Sequence, residues 1–112
     1  MFVYKQEVIE IAPKWYEIAE KTLEEGDKIQ KSFQGRLDGD GGYLCLSNKK
    51  LLFVHEEGFL SKTYELILDL PKEKIEKISQ DGKYKLDIVE TEGKKHQFNS
   101  LDIRASVIEK AL

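Results

Sequence analysis

Apolar and polar positions alternate in short runs along most of the chain, and step by threes and fours only near its two ends. Tyr43-Leu44-Cys45-Leu46 and Leu51-Leu52-Phe53-Val54 are the strongest runs, rich in residues that suit a pleated, half-buried surface. Ser47-Asn48-Lys49-Lys50 between them predicts a tight turn, where Asn48 tolerates positive φ and the lysines stay in water. Glu56-Glu57-Gly58 closes the second run. The next strand is predicted from Phe59 to Leu68, with Leu60, Tyr64, Leu66 and Leu68 on one face and Lys62 among them. Together these segments make an antiparallel meander.

Upstream, Val8, Ala12, Trp15, Ala19 and Leu23, supported by Ile11 and Ile18, form the stripe of an amphipathic helix. Pro13 suits a first helical turn, where its missing N–H costs nothing, and Gly26 suits a stop. The spacing therefore predicts a helix from Pro13 to Glu25, with Glu17, Glu20 and Glu24 facing water. Residues 2–11 read either as a second helical piece kinked at Pro13 or as an extended arm. Such a helix covers a core, or docks on another chain by its apolar face. Asp27 to Leu37 alternates as a first strand, with Gly35 at a bulge or close packing point, and Asp38 to Gly42 follows as a turn.

Downstream, Pro71 breaks the fourth strand and Ile75–Ser79 is a fifth. Gln80-Asp81-Gly82-Lys83 carries the Asp-Gly turn signature, and Tyr84, Leu86 and Ile88 alternate as a sixth strand. Glu92-Gly93-Lys94 turns the chain into a short seventh, Lys95–Phe98. Asn99 or Ser100 is expected to cap a last helix with Asp102 in its first turn, and Leu101, Ala105, Ile108 and Leu112 form its stripe. The fold class is α+β, mainly β: about seven antiparallel strands in an open barrel, a C-terminal capping helix and an extra N-terminal helix.

Length and composition narrow the reading. A chain of 112 residues is one domain, here 1–112, with 1–26 as a helical extension and 27–112 as the core. Net charge is −3, and the acids concentrate early: residues 1–27 hold three lysines against seven acids. No basic block exists to match a phosphate backbone, which argues against nucleic acid as partner. A single cysteine, Cys45, excludes an internal disulfide and fits a reducing compartment as a small buried hydrophobe. No apolar run reaches the roughly 18 residues that span a bilayer, and the N-terminus lacks a basic-then-apolar signal pattern. A cytoplasmic protein is expected, unless the chain is cut from a larger membrane protein.

Candidate chemistry is sparse. Asp38 and Asp40 precede Gly41, but an EF-hand loop needs further oxygen ligands where Gly42 and Lys49 stand, so a plain hairpin is expected. His55 and His96 are isolated at strand ends, where histidines mostly face solvent. A zinc or nucleophile site would need both to converge with Cys45 and a carboxylate. No phosphate loop, nucleophile elbow or paired-carboxylate motif appears. The chain reads as a non-enzyme without metal or cofactor. Phe59-Leu60 is a candidate membrane or partner contact if it protrudes at a hairpin tip, although both residues read more simply as the start of a strand.

The stretch from Glu25 to Phe98 resembles the GRAM and bacterial PH-like families, which share the pleckstrin-homology fold. The resemblance rests on Glu25-Gly26-Asp27-Lys28-Ile29, on Leu44-Cys45-Leu46-Ser47-Asn48-Lys49-Lys50-Leu51-Leu52-Phe53-Val54, on Leu70-Pro71-Lys72-Glu73-Lys74-Ile75-Glu76-Lys77-Ile78, and on Leu86-Asp87-Ile88 through Phe98. Ser47 stands where the families usually have threonine, and Lys50 where they have arginine. The resemblance implies a non-catalytic binding module. Its lipid-binding members place basic residues on the first two strands, which points here to Lys28, Lys31 and Arg36. Asp38 and Asp40 in the connecting loop would repel a polyanionic headgroup. The expected function is protein interaction or self-association through strand edges or the N-terminal helix, with peripheral membrane targeting as the alternative.

Overall fold

In the computed structural model, which describes residues 12–112, seven antiparallel strands share one unclosed sheet. Helix α1 (Lys14–Glu20) precedes β1 (Ile29–Leu37), β2 (Asp40–Ser47), β3 (Lys50–Glu57) and β4 (Thr63–Pro71). A 3-10 turn at Lys72–Lys74 leads into β5 (Ile75–Gln80), β6 (Lys85–Glu90), β7 (Lys95–Ser100) and α2 (Ala105–Ala111). The strand order is β4-β3-β2-β1-β7-β6-β5, so β4 and β5 are the edge strands among the described residues. Strand β1 joins the two halves. It pairs with β2 along its length, but with β7 only over Gly35, Arg36 and Leu37.

Each face of the sheet has its own core. On one, Leu37, Leu44, Leu46, Leu51, Phe53, Leu68, Leu70, Leu86, Ile88 and Phe98 are closed over by Ala105 and Ile108 of α2. On the other, Cys45, Leu52 and Val54 lie under Trp15, Ile18, Ala19 and Leu23. Trp15 stacks flat on Tyr43, ring centroids 4.3 Å apart. Strands β2 and β3 are thus buried on both faces rather than half-buried, which explains their unbroken apolar runs.

Two edge-strand irregularities decide which side chains enter which core. In β4 the register shifts between Phe53 and Val54, leaving Ile67 as an extra residue. Leu66 therefore joins the α1 side while Leu68 joins the α2 side, although the alternation predicts one shared face. In β5 a shift between Ile75 and Lys77 does the reverse. Ile75 and Ile78, three apart, both pack on the α2 side.

Several element boundaries differ from expectation. Helix α1 ends at Glu20 instead of Glu25, because the Thr22 hydroxyl and N–H both donate to Ala19 O and the chain leaves in turns up to Gly26. Glu17 is half-buried rather than facing water, whereas Glu20 and Glu24 are exposed. The turn expected over Asp38–Gly42 is only Asp38-Gly39, both at positive φ (51° and 94°), with Leu37 opposite Asp40. That is a two-residue hairpin turn of the kind whose twist matches the strands. Gly35 is a packing point: a Cβ there would sit 2.7 Å from the Phe98 ring and against the Asn99 carbonyl.

Asn48 keeps negative φ. Its turn is shaped instead by Ser47 Oγ, which accepts from the N–H of Lys50 (2.9 Å) and Lys49 (3.2 Å). Asp27 closes the same turn by accepting from Ser47 Oγ (2.8 Å) and the Asn48 N–H (2.9 Å). Asn99 and Ser100 belong to β7 and do not cap α2, whose N-cap position is Arg104. Leu101 consequently lies outside the helix and is exposed. The expectation for residues 2–11 falls outside the described residues. No helix among the described residues is long and apolar enough to cross a membrane.

Candidate functional site

The three basic candidates do not converge. Lys28 precedes β1, while Lys31 and Arg36 lie five residues apart on it, about 16 Å along the strand. An odd separation in the regular stretch from Lys31 to Leu37 puts them on opposite faces. Arg36 instead donates from Nη1 to Gly39 O (3.0 Å) and borders a cleft of about 320 Å³. Gly41, Gly42 and Glu56 also line that cleft, Glu56 standing one residue beyond the Gly42–His55 pair. Glu56 accepts from the Tyr64 hydroxyl at 2.9 Å and faces Lys62 at 3.4 Å. Asn99 lines the far side, and its buried Oδ1 has no donor among the described residues. Positive Arg36 is thus balanced across glycine by negative Glu56, an arrangement that offers little to a polyanion.

Cys45 and the two histidines are separately engaged. Cys45 is fully buried, and burial pushes its thiol up to about 12, as for a packed hydrophobic side chain. His55 Nδ1 lies 2.7 Å from Gly41 O. His96 is buried rather than solvent-facing, because β7 carries it between Asp38 (Nδ1 to Oδ2, 3.1 Å) and Glu90 (Nε2 to Oε2, 2.6 Å). Asp38, weighed above as a calcium ligand, also accepts from the Gln97 N–H at 2.9 Å. Among the described residues no group of three or more histidine, cysteine, aspartate or glutamate side chains is arranged to hold a metal ion.

Phe59 and Leu60 do not begin β4, which starts at Thr63. They occupy the tip between β3 and β4, 89% and 94% exposed, far more than any other large apolar side chain described. Gly58, at φ 108°, makes that tip: a Cβ there would meet the Ser61 carbonyl. Glu57 and the Asp38–Asp40 turn lie at the same end of the hairpins, so the apolar pair has an acidic surround.

A second apolar feature was not anticipated from the sequence. A notch of about 160 Å³ lies beside edge strand β5, lined by Lys72, Ile75, Ile78 and Leu112. Gln80 Nε2 donates to Glu109 Oε1 (2.8 Å), which ties α2 along the strand. The Ile75–Ile78 spacing hides the notch, since residues three apart face opposite ways in a regular strand. No family model, curated protein or solved structure matches the chain.

Proposed function

We propose that the protein is a non-catalytic PH-like binding module that takes a protein segment at its β5 edge. The observation that carries this reading is the apolar notch between β5 and α2, on a strand whose outer backbone edge pairs with nothing among the described residues. An extended segment laid there gains main-chain hydrogen bonds from β5 and places a side chain between Ile75, Ile78 and Leu112. The other edge is less suited, because Ile67 bulges from it and Glu65, Asp69 and Pro71 line it. Seven antiparallel strands, the C-terminal helix and the Ser47-Asn48 turn support the PH-like assignment.

The test is selection of random extended peptides on the purified protein, followed by NMR mapping of the bound state. Shifts confined to β5 and α2, with affinity reduced by Leu112→Asp, are expected. Peptides that map elsewhere, or that ignore Leu112→Asp, overturn the reading.

A membrane-targeting role is the second reading, favoured by the exposure of Phe59 and Leu60. Two apolar side chains give shallow insertion, and the surrounding acids oppose anionic lipid. Co-sedimentation with vesicles of neutral and anionic lipid, abolished by Phe59→Ser, is the outcome that would establish it.

A further inference from the structure

We propose that the occupant of the β5 notch is the Phe59–Leu60 tip of a second copy of this chain, an inference that rests on the notch of the binding reading above and fills it from a turn instead of an extended segment. Three observations meet here. The tip is an apolar knob left uncovered by the described residues, Phe59 and Leu60 being 89% and 94% exposed. The notch has room for one ring: it measures about 160 Å³ and is open on one side, where an enclosed cavity of about 150 Å³ holds benzene. Charge also matches. Asp40, Glu56 and Glu57 lie at the knob's end of the hairpins with Lys62 among them, whereas Lys72 lines the notch and, with Lys74, Lys77 and Lys110 on the flanking elements, stands against Glu73, Glu76 and Glu109. Such complementarity favours this pairing over knob-to-knob or notch-to-notch contacts, where like charges meet.

The contact is intermolecular by geometry. Strand β4 separates the tip from Lys72, and its nine residues span about 30 Å, so a chain cannot seat the knob in its own notch. Knob and notch are different patches, so the contact is isologous when two copies seat each other's knobs and heterologous when it runs head to tail. Two copies close it reciprocally, or successive copies extend it into a chain. One side chain in one small notch makes a weak contact, so assembly is expected to depend on concentration.

The experiment is light scattering of the purified chain across concentrations up to about 1 mM, the range in which weak contacts are populated. Wild type is expected to self-associate, less so at high salt. Phe59→Ser/Leu60→Ser and, separately, Leu112→Asp are expected to weaken association by about tenfold to a hundredfold, as loss of a buried large side chain does. Circular dichroism of both variants checks that the fold is kept. The decisive arm mixes them: the tip variant keeps its notch and the notch variant keeps its tip, so the mixture is expected to regain pairing. A wild type that stays monomeric, or an assembly untouched by the tip variant, overturns the proposal. Loss of vesicle binding in the tip variant, without self-association, assigns the tip to membrane instead. In each of these cases peptides that map to β5 leave the binding reading intact, and peptides that map elsewhere remove both.

Discussion

The imidazole of His96 lies 2.6 Å from the carboxylate of Glu90, and its other nitrogen lies 3.1 Å from Asp38. Each ring nitrogen therefore faces one carboxylate oxygen. The arrangement ties the end of β6, the start of β7 and the β1–β2 turn at a buried point. Replacing His96 with leucine keeps the volume and removes both polar contacts. It is expected to lower stability by about 2–4 kcal/mol, measured as a shift of the urea midpoint at neutral pH. An unchanged midpoint would mean that the two contacts contribute nothing.

Asp27 gives a pH dependence of known sign. Burial pushes its carboxyl up, but donation from the Ser47 hydroxyl and the N–H groups of Asn48, Lys28 and Lys49 outweighs this and holds it below the usual range. A depressed carboxylate stabilises the fold above its unfolded value, about 3.9, and that contribution is lost as pH falls through the lower folded value. Asp27→Asn is therefore expected to be less stable than wild type near neutrality, with the two melting temperatures converging in acid. Parallel curves down to the lowest pH that supports folding would show that the charge is irrelevant.

Cys45 reports on opening of the sheet. With its thiol pushed up to about 12 by burial, alkylation of the native protein at pH 8 is expected to proceed no faster than global or local unfolding. Labelling at the rate of a free thiol would contradict its placement beneath Ala19.

Ile67 separates what a residue is from where it stands. Its side chain is 38% exposed, so Ile67→Ala is expected to cost about 1 kcal/mol or less. Deleting the residue erases the bulge and turns either Leu66 or Leu68 out of its core, with a loss of about 4 kcal/mol or more. Chemical denaturation of both variants distinguishes the two effects, and equal losses would sink the argument.

The strands were legible because alternation and turn residues act locally: Asp38-Gly39, Asp81-Gly82 and Gly93 punctuate the chain where the backbone turns. The unbroken runs in β2 and β3 held a further signal, burial on two faces, which becomes plain only once α1 is known to cover one of them. The opposite facing of Lys31 and Arg36 was also available from their odd spacing. What no local pattern carries is register. The shifts at Ile67 and after Ile75 reassign side chains between faces, and they created the notch that the sequence did not announce. His96 and Asp38, 58 residues apart, meet only because β1 and β7 pair.

That pairing is only three residues long, yet it does not make the protein two pieces. Phe53 from β3 meets Phe98 from β7 edge to face, centroids 6.2 Å apart, inside a core drawn from both halves. Melting the short β1–β7 ladder would leave each part with an open hydrophobic wound, so side-chain packing rather than backbone continuity enforces cooperativity. A calorimetric trace of the protein should accordingly show one endotherm, its van't Hoff and measured enthalpies in agreement.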